Sequence, residues 1–307
     1  EILDLREKAR NDGFKALARA QVFYQRNLPE AQTYLEKRKL KLETIQTFGL
    51  GYAPDSFSDT KTALLNEGFT PEILLETGLT TKSDKGREDY DRFRGRLMFP
   101  IHNLKDEVVG FGGRVLNPEQ NPKYLNSPET SFFDKSGLLY NLNRARNQIK
   151  SEQRLLLVEG YMDAIALWQQ GIKTAVAPMG TAITPTQIQT LWRFHRNPII
   201  CLDGDTAGQN AAIRMAKRAL EVLKAGVDLS FVWLPEGEDP DSFIGKEGKS
   251  AFDKLLSRTQ SLEDILWQDV SKGQNLSQGT ARATTEQNIY TLMGEVMDET
   301  MKRHLTR

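Results

Sequence analysis

Apolar residues fall along this chain in two rhythms. Between Leu155 and Asp241 there are four short, mostly apolar runs: Leu155-Leu156-Leu157-Val158, Thr174 to Ala177, Ile199-Ile200-Cys201-Leu202, and Leu229 to Leu234. Runs of this length without polar alternation predict strands buried on both faces. The segments between them have helical spacing: Asp163 to Gln170, Thr184 to Phe194 with Thr184 as cap and Pro185 as first residue, and Ala207 to Ala225 closed by Gly226. Alternating strand and helix predicts α/β architecture, a parallel sheet covered on both faces.

Elsewhere the pattern is different. Glu1 to Asn27 reads as an amphipathic helix with Phe14, Leu17, Ala18, Gln21 and Val22 on one side. Pro29 opens a second helix that ends before Phe48-Gly49, and a third surrounds Ile73 to Leu79 behind the cap Thr70. From Gly86 short alternating strands predict a compact antiparallel sheet, with Leu97-Met98-Phe99-Pro100-Ile101 paired to Val108-Val109-Gly110-Phe111 through a turn around Lys105-Asp106-Glu107. Gly110, Gly112 and Gly113 do not complete a dinucleotide fingerprint and no long helix starts there, so they predict close backbone approach or a bulge. After Gly245 the chain is helical through Ala251 to Leu256, Leu262 to Val270 and Thr280 to Leu305, with an apolar stripe of Ile289, Leu292, Met293, Val296 and Met297 suited to a bundle face. The whole reads as mixed α+β around an α/β centre, with domains at 1–150 (helical and basic α+β), 151–245 (parallel sheet) and 246–307 (helical).

Composition changes this picture little. With 307 residues, 41 bases against 41 acids, 39% hydrophobic and 27% charged residues, an indiscriminate polyanion binder is disfavoured. No apolar run is long enough to span a bilayer and the start is unlike a signal peptide, so no membrane partner is expected and the cytosol is the expected location. A single cysteine, Cys201, excludes a disulfide framework and a cysteine zinc site within this chain; inside an apolar run it reads as a small buried hydrophobe. His102, His195 and His304 are scattered without ligand spacing.

The chemistry lies where the apolar runs stop. Glu159 follows the first, Asp203-Gly204-Asp205 the third, and Glu236-Gly237-Glu238-Asp239-Pro240-Asp241 the fourth. In a parallel sheet these positions gather beyond the carboxyl ends of the strands, where ligands bind. Glu159, Asp203, Asp205, Asp239 and Asp241 at one edge would repel one another and raise each other's pKa, unless hard divalent cations share them. Mg2+ is the natural ion, because it takes oxygen ligands and shares its site with substrate phosphates. Taken singly, Asp205, Asp241 and Glu159 could each serve as a helix cap, but five acids at one edge could not all do so. A second set, Arg92, Arg94, Arg96, Arg114, Lys123 and Lys135, is interleaved with Phe93, Tyr124, Phe132 and Phe133. Bases beside aromatics suit a phosphate-rich strand with stackable bases; the alternative is a solvated face partly neutralised by Glu88, Asp89 and Asp91.

These residues together resemble the catalytic core of the bacterial replicative primase, the DnaG type, built around a Toprim domain. Glu159-Gly160-Tyr161-Met162-Asp163, Met179-Gly180-Thr181-Ala182-Ile183-Thr184, Asp203-Gly204-Asp205-Thr206-Ala207-Gly208 and Asp239-Pro240-Asp241-Ser242-Phe243 look like the Toprim signatures in family order. Upstream, Tyr90-Asp91-Arg92-Phe93-Arg94, Phe99-Pro100-Ile101, Gly110 to Arg114 and the run from Pro122 to Thr130 resemble the family's basic subdomain. The likeness is strong over about residues 28 to 245 and looser at the terminal helices. This chain departs from the family at Lys39 and Asn141, where glycine is usual.

The resemblance implies a Toprim sheet flanked by helices (151–245), a small basic α+β subdomain before it and a helical bundle after it. It further implies synthesis of short RNA primers from ribonucleoside triphosphates on a single-stranded DNA template, a ribose 3′-hydroxyl attacking the α-phosphate. Asp203, Asp205, Asp239 and Asp241 would be ligands of Mg2+, with Mn2+ able to replace it, and Glu159 either a further ligand or the acid/base. Arg92, Arg114, Lys123 and Lys135, flanked by Tyr124 and Asn126, would hold template or nucleotide phosphates. In the family a zinc-binding module precedes this core and a module that binds the replicative helicase follows it; neither is expected within this chain, whose place would be the bacterial cytoplasm at the replisome. Two rivals use the same residues differently. A Toprim nuclease or topoisomerase would cleave DNA, but after Tyr161 only Tyr290 remains as a tyrosine nucleophile, and Ala207 stands where a topoisomerase has a cleavage acid. An inactive DNA- or helicase-binding scaffold would not need intact acids.

Overall fold

The computed structural model describes residues 2–83, 88–149, 154–180 and 182–305, with side chains from residue 7 onward. Three expectations lie outside them: the change of pattern at Gly86, Thr181 in the second motif and the boundary at 150/151. The chain divides into two compact units, Glu1–Asn143 and Arg144–Arg307.

The first unit is built on the helix Ile2–Arg26 and a four-stranded antiparallel sheet in the order Gly51–Ala53, Arg96–His102, Val108–Val115, Tyr124–Asn126. The helix buries Ala16, Leu17, Ala20 and Tyr24, at helical spacing. This face is rotated from the expected one, and Ala18 is exposed. Near its end the helix lies close against a strand: a Cβ on Gly51 would stand 2.6 Å from the Tyr24 carbonyl carbon. Tyr24 packs edge-on to Phe111 at 5.3 Å, joining helix to sheet in a core that includes Leu64, Leu74, Phe93 and Met98.

The helix expected from Pro29 to Phe48 is instead a 3-10 turn, Leu28–Ala31, followed by two helices, Gln32–Lys37 and Leu42–Phe48. The break is at Lys39, whose φ of 54° is left-handed. Asn141 is also left-handed, with φ 66°. At both positions where glycine is usual the backbone is thus left-handed, the region glycine enters freely. The third helix is Pro71–Glu76, capped as expected by Thr70, and a further helix, Asp59–Asn66, had no clear apolar signature. The predicted hairpin is present, and a Cβ on Gly110 would stand 2.7 Å from the Phe133 ring, the close approach expected of these glycines.

In the second unit four parallel strands and one antiparallel edge strand run in the order Gln260–Ser261, Ser230–Trp233, Ile199–Leu202, Leu156–Leu157, Ala175–Pro178. Consecutive residues of the parallel strands are buried, which in a pleated strand requires cover on both faces. The connecting helices are Tyr161–Gln169, Pro185–Phe194 and Thr206–Leu220. The second of these has the expected start, with Thr184 and Gln187 forming a capping box and Pro185 in the first turn. Thr206–Leu220 stops short of the expected Ala225. The helices Pro240–Leu256, Leu262–Ser271, Gly279–Met293 and Glu299–Leu305 complete the unit. The expected helix from Thr280 to Leu305 is therefore broken, and Met297 is 78% exposed, outside the stripe that Leu292, Met293 and Val296 do bury.

Lys39→Gly is expected to stabilise the protein by up to about 1 kcal/mol, since a lysine held left-handed is strained and glycine is not. Asn141→Gly should gain less, asparagine tolerating that region. Gly51→Ala should cost about 1–3 kcal/mol by overpacking. Thermal denaturation of the three variants tests the ordering; an unchanged Tm for Lys39→Gly would contradict it.

Candidate functional site

Sheet topology fixes where the acids meet. The crossover from Ala175–Pro178 to Ile199–Leu202 passes over Leu156–Leu157, so the strand order reverses between Leu156–Leu157 and Ile199–Leu202. Beyond the carboxyl ends of two such strands a crevice opens, the general ligand position in open α/β sheets. Glu159 follows one of these strands and Asp203 the other, and the Asp203 amide donates to Glu159 Oε1 at 3.2 Å. The next strand, Ser230–Trp233, leads through Leu234–Glu238 to Asp239 and Asp241. Glycine lets these loops press together: a Cβ on Gly204 would collide with the carbonyl oxygens of both Leu234 and Pro235, and one on Gly208 would collide with Asp203 O.

Some of the acids are also helix caps. Asp205 accepts from the Gly208 amide at 2.8 Å and Asp239 from the Ser242 amide at 2.6 Å. Asp241 is in the first turn of the helix Asp239 caps, so it is not the cap the sequence allowed. Asp203 caps no helix, and among the described residues its buried Oδ1 has no hydrogen-bond partner. Such an atom carries the desolvation cost of a charge with nothing to offset it. Burial, then Glu159, Asp239 and Asp205, push the Asp203 carboxyl up to about 7. Asp163, not among the candidates read from sequence, belongs to the same group. Burial, then Asp239, Asp203 and Asp241, push it up to about 8, while the Gly160 amide, 3.0 Å from Oδ2, works the other way. Its signal was present: it stands four residues after Glu159, within the first turn of a helix. Beneath the acids Cys201 is fully buried, its thiol pKa raised by burial and then by Asp163, Asp203 and Glu159.

An all-carboxylate donor set with an unpartnered buried oxygen fits a hard divalent cation. Among the described residues, no three His, Cys, Asp or Glu side chains already surround a common ion position. Asp205 and Asp239 each give one carboxylate oxygen to a helix amide.

In the first unit the basic candidates gather along the last two strands of the sheet. Arg114 pairs across strands with Tyr124 and donates to its hydroxyl at 2.5 Å. The guanidinium lies 5.2 Å from both the Tyr124 and the Tyr34 ring centroids. Arg38 in turn lies 5.7 Å from the Tyr34 ring and donates to its hydroxyl. Tyr34 and Arg38 therefore extend this face; the sequence spaced them too far from Arg114 to show it. Lys123 is exposed next to Tyr124. Arg92 is directed to the backbone, donating through Nε and Nη2 to Asn126 O at 3.1 and 2.7 Å. Lys135 is half-exposed in a loop, its amide donating to Glu129. Two residues read as exposed bases are otherwise engaged: Arg94 stacks over Phe57 and Tyr90 at 4.3 and 5.2 Å, and Arg96 is buried.

A mostly parallel sheet with an acidic switch point is the arrangement of a Toprim-containing protein. The chain matches the DNA primase catalytic core, N-terminal domain, over residues 19–146, and a Toprim-like domain over residues 156–244. It is 42% identical over 291 residues to the DNA primase of Escherichia coli K12, covering 92% of this chain and 49% of that one. Among solved structures, a DnaG primase catalytic domain bound to single-stranded DNA is 40% identical with a TM-score of 0.85, each chain covered to 97%. A DNA primase domain from Pseudomonas aeruginosa is 36% identical with a TM-score of 0.89, covering 95% of this chain and 93% of that one. This chain belongs to the DnaG primase catalytic-core family, with its N-terminal and Toprim domains. It spans about half the length of the curated relatives it matches. A Toprim domain implies the use of a divalent metal. Among the described residues no helix is long and apolar enough to cross a membrane.

Both raised carboxyls take up protons more readily in the folded protein than in the unfolded chain, where aspartate titrates near ~3.9. Their contribution to stability is full below that pH and is lost as the pH rises through about 7 and 8. In EDTA, the Tm of the wild type should therefore fall relative to that of Asp163→Asn between about pH 5 and pH 8, other titrating groups being common to both. Millimolar Mg2+ should recover the wild type more at the upper pH. Parallel curves for the two proteins in EDTA would contradict the coupling.

Proposed function

We propose that this chain is the polymerising core of a bacterial primase, joining ribonucleotides from nucleoside triphosphates into short RNA primers on single-stranded DNA. The observation that carries this reading is the unpartnered, buried Oδ1 of Asp203 within a ring of acids at the switch point. An acid kept there without a partner is under strain unless it serves chemistry. Glu159, Asp203, Asp205, Asp239 and Asp241 would hold Mg2+, with Mn2+ able to replace it. Bound divalent cations supply charge stabilisation to the attacking and leaving oxygens of a phosphoryl transfer. Glu159 serves as a further ligand or as the acid/base; its Oε1 already orients the Asp203 amide, which fixes the two loops that carry the charge. Arg114, Lys123, Tyr124, Asn126 and Lys135 bind template or nucleotide phosphates, and Arg92 supports Asn126 through its carbonyl.

Binding to single-stranded DNA is supported by the relative solved with that ligand. Three roles divide the chain: 1–150 for template, 151–245 for chemistry, 246–307 as helical support. Coupling to the replicative helicase belongs to a module outside this chain, and the setting is the bacterial cytoplasm at the replisome. Strand cleavage through tyrosine is less well supported, because Tyr161 is buried and Tyr290 stands on the helix Gly279–Met293, apart in sequence from every acid motif.

Asp203→Asn tests the assignment, since it keeps the shape and removes the charge. Primer synthesis on a single-stranded template in Mg2+ should fall by on the order of 10³ or more, the scale of several kcal/mol of lost charge stabilisation. Single-stranded DNA affinity should stay within about threefold of wild type. RNA synthesis near the wild-type rate would sink the assignment. Arg114→Ala should do the reverse to binding, weakening it about equally for different sequences and lowering the salt slope by about 1.

A further inference from the structure

Arg96 is only 5% exposed, at the start of a central strand of the first unit's sheet. Its Nη1 donates to Gly113 O at 3.1 Å and to Pro122 O at 2.9 Å. Gly113 immediately precedes Arg114 and Pro122 immediately precedes Lys123. One nitrogen therefore ties together the backbone just ahead of the two bases assigned to phosphate. Glycine leaves room for the side chain: a Cβ on Gly113 would stand 3.0 Å from Arg96 Cδ. The two segments meet again where the Val115 amide donates to Lys123 O at 3.0 Å.

Among the described residues Arg96 has no carboxylate partner, and burial, then Arg94 and Arg92, lower its pKa. A guanidinium buried against carbonyls alone is an expensive way to brace a sheet, where an apolar residue of similar volume would pack as well. In the sheet register Arg96 shares a face with Val115, and Arg114 shares the other with Leu97 and Tyr124, so Arg96 acts on the two bases through the backbone it holds, and its burial is offset if that backbone must be fixed for an anion.

We propose that Arg96 is a positioning residue for the template: it sets the spacing of Arg114 and Lys123 through the carbonyls ahead of them. This rests on the reading of Arg114 and Lys123 as phosphate contacts. Arg96→Met keeps the stem and removes both the charge and the two donated hydrogen bonds. We expect folded Arg96→Met, checked by circular dichroism, to bind a single-stranded oligonucleotide about tenfold more weakly at low salt. Arg114→Ala and Lys123→Ala should each lose less affinity when combined with Arg96→Met than in the wild type, because contacts that act as a unit are not additive. Arg96→Lys, which keeps the charge and reaches one carbonyl, should fall between the wild type and Arg96→Met.

Wild-type affinity in folded Arg96→Met, or losses fully additive with those of Arg114→Ala and Lys123→Ala, would overturn the proposal. Unfolding of both Arg96→Met and Arg96→Lys would also overturn it, making Arg96 a core residue and nothing more. A different failure is distinguishable: if Arg114→Ala and Lys123→Ala bind like wild type in an otherwise native chain, the phosphate reading itself is wrong.

Discussion

Carboxylates crowded into a partly dry sheet edge are the constraint on which the second unit depends. Each of the loops that carry them would be pushed outward by its neighbours' charge, and they are held in by contacts that leave no room for a side chain. Gly204 lies against the carbonyls of Leu234 and Pro235, and Gly208 against that of Asp203. Oxygen meets glycine at these points, so the turn after one strand can sit on the loop after the next. Burial first, and this repulsion second, raise the proton affinity of Asp163 and Asp203. Asp205 and Asp239 each hold a helix amide with one carboxylate oxygen, so the start of each following helix is tied to the loop before it.

The arginines of the first unit show how little charge alone says about role. Arg114 lies between two tyrosine rings, a position that limits its rotamers and so reduces the entropy lost on meeting a phosphate. Arg92 and Arg96 face inward to carbonyls, and Arg94 lies on aromatic rings. These four arginines thus divide between aromatic rings and backbone carbonyls, and only Arg96 among them is buried.

Much of this was legible in the residue pattern, for reasons that can be stated. The parallel strands announced themselves because both their faces are buried, giving runs with no polar interruption. The acids followed because strand ends in such a sheet are where loops must turn. Legibility failed where the deciding contact is distant in sequence. Gly51 brings its strand against Tyr24, a contact far apart in sequence, so the buried face of the first helix was placed one step off. The break at Lys39 was invisible in helical periodicity, although the absence of the usual glycine marked the residue. Arg96 read as exposed because a charged residue in an alternating strand ordinarily is. Asp163 was passed over because its partners, Asp239 and Asp241, arrive from a loop far along the chain.

The single thiol of the chain lies directly beneath the acids, fully buried and held in its protonated form by burial and by their charge. Thiolate is the reactive species toward maleimides and iodoacetamides, and here it is both inaccessible and electrostatically disfavoured. The native protein is in effect cysteine-free to such reagents. Cysteines introduced at exposed positions, one in each compact unit, would therefore take spin labels at those two sites alone, and the distance between the units could be measured in solution without replacing Cys201.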